Sequence, residues 1–207
     1  AQMLAAWIIQ RDKLGKTDIF ADQYNALGQP GSNQIPDILD EAKWGLDWML
    51  KLHPAPDLLF HQVADDRDHK GWRLPQNEHV DYGWGEGLYR VAYCADGKPQ
   101  GLMQYKSESD GMANIAGRYA AAMALGYQIW KDDPTMKAYA DQLLIAGKEV
   151  YELGMKYQGV QQGNSYGAPY RYEESTWADD MEWGAAEMFR ATGDKKYLKD
   201  ARRFAEK

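Results

Sequence analysis

Asn33-Gln34-Ile35-Pro36-Asp37-Ile38-Leu39-Asp40-Glu41-Ala42-Lys43-Trp44-Gly45-Leu46-Asp47-Trp48-Met49-Leu50 is the stretch that decides the fold class. It reads as an amphipathic helix with a marked start. Pro36 suits a first helical position, because its φ is already fixed near the helical value and its missing N–H would be unpaired there. Asp37, Asp40 and Glu41 put negative charge at the positive end of the helix dipole. Ile38, Leu39, Ala42, Leu46, Met49 and Leu50 recur at helical spacing and form one apolar stripe. By periodicity alone this is an ordinary helix of a bundle or barrel.

The same pattern recurs on both sides of it. Six helices are expected, near residues 2–14, 36–52, 110–131, 135–157, 177–192 and 195–207. The third carries Met112, Ile115, Ala116, Tyr119, Met123, Gly126 and Trp130 as its stripe. Its small residues, Ala116, Gly117, Ala120, Ala121, Ala122 and Ala124, allow a neighbouring helix to come close. The fourth carries Met136, Tyr139, Leu143, Ala146, Val150, Leu153 and Tyr157. The joints are short. Asp132-Asp133-Pro134 ends one helix and starts the next, Gly193 suits a left-handed C-terminal cap, and Asp194 suits the following N-cap. No strand alternation competes, so the expected class is all-α, built of helical hairpins.

Two connections break this economy, from about residue 53 to 108 and from about 158 to 175. Connections longer than about 15 residues are uncommon in compact domains unless they carry function. The first holds Trp72, Tyr82, Trp84, Tyr89, Tyr93 and Tyr105, and the second Tyr166, Tyr170 and Tyr172. The whole chain has 14 Tyr and 8 Trp against 4 Phe. Rings with an apolar face and a polar edge suit partly wet surfaces and sugar faces, and they also serve as core aromatics.

The 207 residues, 44% of them hydrophobic, are enough for a sizeable core. A net charge of −7 with no basic patch argues against nucleic acid and anionic membranes as partners. Cys94 is the sole cysteine, so no internal disulfide forms. No run of about 18 apolar residues is present to span a bilayer. The chain opens in Ala1-Gln2-Met3-Leu4-Ala5-Ala6-Trp7, already helical in pattern and without a signal peptide, which suggests a processed or excised fragment.

Four blocks, in order, resemble glycoside hydrolase family 9, the cellulases and related β-glucanases. The opening stretch is similar to the family's Ile-Pro-Asp-(Ile/Leu)-Leu-Asp-Glu-x-(Lys/Arg)-Trp-x-Leu-(Asp/Glu)-Trp block. Phe60 to Pro75, with Asp65, Asp68-His69 and Trp72, resembles its Val-Gly-Asp…Asp-His…Trp…Pro loop. Ser107 to Pro134 is similar to its Ser-Asp-x-Ala…Ala-Ala-Ala-Met-Ala helix. Ser175 to Ala186, followed by Ala191-Thr192-Gly193-Asp194, resembles its Asp-Glu-Leu-x-Trp-Ala-Ala…Ala-Thr-Gly-Asp segment. The resemblance implies an (α/α)6 barrel of twelve helices. Residues 1–207 would then be about half of a single catalytic domain, incomplete at both ends, with an apolar face exposed where further helices pack.

It also implies a chemistry. Inverting hydrolysis of a β-glycosidic bond uses one carboxylic acid to protonate the leaving oxygen and one carboxylate to activate water, about 6.5–9.5 Å apart. In the family the base lies in an Asp-Ala-Gly-Asp loop before the region matched here, and the acid is a Glu near the C-terminus. Neither motif occurs in this chain, and Asp18-Ile19-Phe20-Ala21-Asp22 lacks the Gly and follows the first helix. No catalytic residue is therefore assigned. The implied role is part of the barrel and of the cleft. His69 and Trp72 would line the glycone side, against the alternative of a structural histidine. Tyr170, Arg171 and Tyr172 belong to a loop that carries aromatic subsites in relatives. Asp65, Asp66 and Asp68 read more simply as loop carboxylates that take backbone N–H groups and pair with Arg67.

Ser175, Thr176, Asp179 and Asp180 have two readings. The resemblance implies a structural Ca²⁺ site made by this stretch, although Asp180 stands where relatives carry Glu and these four are only part of the six to eight oxygens calcium takes. Equally, they form a helix N-terminus, with a Ser or Thr cap and two carboxylates on the dipole. Glu173-Glu174 replaces a Trp found before the Ser in some relatives, and an acidic pair there would favour a cationic sugar such as glucosamine, or a branched glucan. No organic cofactor is implied. Expected substrates are β-1,4-glucans, mixed-linkage glucan or xyloglucan, met outside the cytoplasm by a secreted or periplasmic protein. The alternatives are another α/α-barrel enzyme acting on a different glycan, since fold alone does not fix function, and a non-catalytic helical carbohydrate-binding protein.

Overall fold

The computed structural model describes residues 1–64, 74–77, 79, 91–100, 107–162 and 174–207. Helix α1 (Gln2–Ile9) continues as one π-helical turn, Gln10–Leu14, and stops at Gly15, whose φ of 61° is open to glycine without strain. Then follow α2 (Asp37–Lys51), strands β1 (Phe60–Ala64) and β2 (Val91–Cys94), and helices α3 (Ala113–Trp130), α4 (Lys137–Lys156), α5 (Ala178–Thr192) and α6 (Lys195–Ala205). The six expected helices are all present, with ends within a few residues of the expected ones.

Two local details differ from the sequence reading. Pro36 is the N-cap of α2 rather than its first residue: its ψ of 137° is extended, and its carbonyl accepts from Leu39 N at 2.7 Å and Asp40 N at 3.2 Å. The long first connection also contains a short antiparallel ribbon, in which Gln62 pairs with Tyr93 and Val63 with Ala92. Five and four residues are too few for alternation to stand out in the sequence. The register slips between Phe60 and Gln62, a bulge centred on His61.

The core is centred on α3. Ala113, Ala116, Ala120, Ala121, Met123 and Ala124 are fully buried. Burial extends well beyond the expected stripe, because small side chains around most of α3 admit neighbours on several sides, among them α1, α2, α4 and α5. The closest approach is to α5. A Cβ on Gly117 would collide with the Asp180 carbonyl, and one on Gly184 would lie 2.7 Å from the Gly117 carbonyl oxygen. On the α4 side a Cβ on Gly154 would meet the Ala116 Cβ at 2.6 Å. Of the α2 stripe, Leu39, Ala42 and Leu46 are buried and Ile38, Met49 and Leu50 pack against the core, while Trp44 is 68% exposed.

The α5–α6 joint follows its sequence. Gly193 takes φ 72° and Asp194 accepts from Lys196 N at 2.9 Å. Tyr151 of α4 meets Tyr197 of α6 edge to face at 5.2 Å, and Trp177 meets Phe204 at 5.7 Å. Such pairs add to the burial of the rings themselves.

Candidate functional site

Helices α3 and α5 begin next to each other, and the described ends of both long connections meet at that end. The segment before α3 and the segment after α4 are sewn together. Asn114 donates through Nδ2 to the Gln161 carbonyl at 3.1 Å and accepts from Gln161 N at 2.8 Å. Asp110 accepts from Val160 N at 2.8 Å. The Ser109 hydroxyl accepts from Gln162 N and donates to the Gln162 carbonyl. Gln161 then reaches the β-ribbon side: its Oε1 accepts from Gly97 N at 2.8 Å and its Nε2 donates to the Lys98 carbonyl. Buried main-chain groups with no helix or sheet partner are satisfied here by amide and hydroxyl side chains. Gly111 permits the approach, since a Cβ there would collide with the Gln158 main chain.

The ribbon is fixed from its own side. His61 Nε2 lies 2.7 Å from Gln100 Oε1, and the Gln100 amide donates to the Cys94 carbonyl. An amide oxygen only accepts, so His61 Nε2 carries the proton. Burial holds the His61 pKa below its ordinary value, against the opposing pull of Gln100 and Asp96. A further clamp lies below. His53 is buried, with Nδ1 2.9 Å from the Leu58 carbonyl and Nε2 3.0 Å from Glu149 Oε2.

This pedestal borders a cavity of about 500 Å³ walled by Pro99, Glu108, Ser109, Asp110, Val160, Gln162 and Glu174. Its wall is polar, and Glu174 belongs to it with its carboxylate already engaged. Arg118 donates from Nη1 and Nη2 to the two Glu174 oxygens at 3.1 and 3.2 Å, and from Nε to Asp180 Oδ1 at 2.7 Å. The hydrogen bond to Asp180, followed by that to Glu174, holds the guanidinium above its ordinary pKa. Burial pushes the Asp180 carboxyl up, and Arg118 only partly offsets it.

The expected site residues fall into two sets. His69, Trp72, Tyr170, Arg171 and Tyr172 lie outside the described residues, as do Asp65, Asp66, Asp68 and Glu173. Ser175, Thr176, Asp179 and Asp180 are described, and they divide. Ser175, Thr176 and Asp179 are exposed, and the Thr176 hydroxyl donates to Asp179 Oδ1 at 3.1 Å. Asp180 is buried and faces Arg118. The N-cap of α5 is Trp177, so neither Ser175 nor Thr176 caps the helix. The donor set does not fit a calcium shell in this arrangement, because the one buried carboxylate already meets a full positive charge. Among the described residues no group of three or more His, Cys, Asp or Glu is placed to hold a metal.

The sequence reading missed Arg118. Its signal was visible: it is the single charge in the eighteen residues of α3. A single charge among small apolar residues stands out as a candidate partner for carboxylates on a neighbouring helix.

Among the described residues, no helix is long and apolar enough to cross a membrane. The chain is similar to Endoglucanase 5 of Arabidopsis thaliana, 34% identical over 171 residues, which are 82% of this chain and 24% of that protein. It is also similar to Endoglucanase 15 of Oryza sativa subsp. japonica, 30% identical over 169 residues, 81% of this chain and again 24% of the relative. It thus spans about a quarter of the length of these curated relatives. Among solved structures, the cellulase Cel9M of C. cellulolyticum in complex with cellobiose superposes with a TM-score of 0.59 at 29% identity, over 81% of this chain and 33% of that one. A metagenome-derived glycoside hydrolase family 9 endoglucanase shares the fold, with a TM-score of 0.67 at 23% identity over 100% of this chain and 32% of its own. The helical fold thus has counterparts among solved cellulase structures. With the sequence model of Glycosyl hydrolase family 9 matching residues 1–207, the chain belongs to that family.

Proposed function

We propose that the protein hydrolyses β-1,4-linked glucans with inversion at the anomeric carbon, and that residues 1–207 supply part of the barrel and one wall of the cleft. Membership of the family along the whole chain carries this reading, and relatives bearing the name endoglucanase support it. The acid and base lie outside this segment, in further parts of the same catalytic domain. The exposed Trp44, Trp48 and Ile9 would then be a face on which its other helices pack. The cleft wall is the end where α3 and α5 begin and where the described ends of the two connections meet. His69, Trp72, Tyr170, Arg171 and Tyr172 would meet the sugar rings there. A polymeric substrate places the enzyme outside the cytoplasm, secreted or periplasmic.

The pairing of Glu174 bears on substrate choice. Both of its oxygens are taken by Arg118, so Glu174 is already engaged and less available to pair with a cationic ligand. At Glu174 a glucosamine polymer therefore gains no advantage over a neutral glucan. The test uses the full-length protein on cellohexaose and on chitosan hexamer, followed by proton NMR during the first turnovers. Appearance of the α-anomer from cellohexaose alone is expected. Initial β-anomer would refute inversion, and equal cleavage of chitosan would refute the substrate preference.

A further inference from the structure

The joint between α3 and the start of α5 contains its own cation. Arg118 leaves α3 beside Gly117, where the main chain of Asp180 presses against the helix. From there it engages one oxygen of Asp180 and both oxygens of Glu174. Glu174 lies outside the helix and Asp180 within its first turn, so a single planar fork ties the approach to α5, α5 itself and α3. A guanidinium matches this task, because its donors are fixed in one plane and its charge persists at any working pH.

We propose that Arg118 does here what a bound divalent cation would do: it gathers the carboxylates at the start of α5 and offsets part of their charge, so that the joint holds without calcium. Calcium needs six to eight oxygens at close range. Glu174 has both oxygens engaged, the Thr176 hydroxyl is turned to Asp179, and Asp180 shares one oxygen with the guanidinium. Asp180 Oδ2 is buried and meets no donor among the described residues. It is the atom an ion would have to reach, beside the guanidinium that holds Oδ1. Arg118 is on this reading a positioning residue: it sets Glu174 in the cavity wall and does not touch the reacting atoms. The proposal is independent of the glucan activity, and its test reads stability rather than turnover.

The test is thermal melting of the full-length protein, stripped with a chelator and then supplied with millimolar CaCl₂, for the wild type, Arg118→Met, Arg118→Lys and Asp180→Asn. The wild-type midpoint should be the same with and without calcium. Arg118→Met should lower it by roughly 1–4 °C, since the shift per kcal/mol shrinks as the domain grows. Arg118→Lys should recover part of the loss, since an ammonium supplies charge without the fork. A rise in the wild-type midpoint with calcium that Asp180→Asn abolishes would overturn the proposal, as would Arg118→Met melting like the wild type. If Arg118→Met does not fold, the calcium response of the wild type and Asp180→Asn decides the matter alone.

Discussion

At Gly117 and Gly184, helices α3 and α5 touch through bare main chain. A few residues away, at Asn114, Ser109 and Gln161, the same end of the molecule is joined through amides and hydroxyls. The first contact is dry and tolerates no added atom. The second is a set of directional bonds satisfying main-chain groups that no helix or strand can serve. The contrast assigns different work to the two regions. Close packing fixes where α3 and α5 start, and the polar pedestal fixes the bases of the two connections that leave from there. Arg118 stands on the border: its Cα belongs to the dry helix and its guanidinium to the polar wall.

The comparison can be broken most directly at Gly117. In an exposed helix, Gly→Ala gains about 1 kcal/mol from backbone propensity. Here Gly117→Ala should instead lower stability, and Gly117→Leu should cost about 3 kcal/mol or more, since the nearest obstacle is main chain and cannot swing aside. Urea denaturation midpoints read this directly, and a stabilised Gly117→Ala would show that the helices are not in contact there. The polar side should respond less, and through different groups. Asn114→Ala leaves the buried Gln161 amide and carbonyl without these partners, which should cost about 1–3 kcal/mol. Hydrogen exchange at Gln161 should accelerate while α4 and α6 keep their protection. Uniform acceleration across all helices would instead make Asn114 part of the general core.

Smaller effects sharpen the same line. Asp194→Ala removes the cap of α6 and should cost about 1 kcal/mol, visible as a shift in the same urea midpoint. No change there would mean that packing of Tyr197 and Phe204, not the cap, fixes where α6 begins. The smallest is a pH effect. His61 has its pKa lowered on folding, chiefly by burial, so the folded protein binds fewer protons than the unfolded chain in that window. This contribution is fully present above the ordinary histidine value of about 6.5 and is lost as pH falls below it toward the lowered folded value. Melting of wild type and His61→Asn between about pH 7.5 and 5 should show the steeper acid loss in the wild type, and parallel curves would remove His61 from the account.

Much of the helical frame was legible before any coordinates. Apolar spacing located all six helices, and Gly193-Asp194 marked a joint because one residue suits positive φ and the other offers an acceptor. The family was legible in blocks such as Ile35 to Trp48, where caps, charges and aromatics coincide. The strands were not, because a ribbon this short carries no period to read.

The amino-acid order thus determined the helices, their ends and the family, since those depend on local spacing, φ preference and capping within a few residues. Tertiary structure alone decided that α3 is buried around most of its circumference, that Asn114 answers Gln161 across 47 residues, and that Asp180 faces Arg118 across 62. Each of these depends on which helix face meets which, and a one-dimensional pattern names a face without naming its partner.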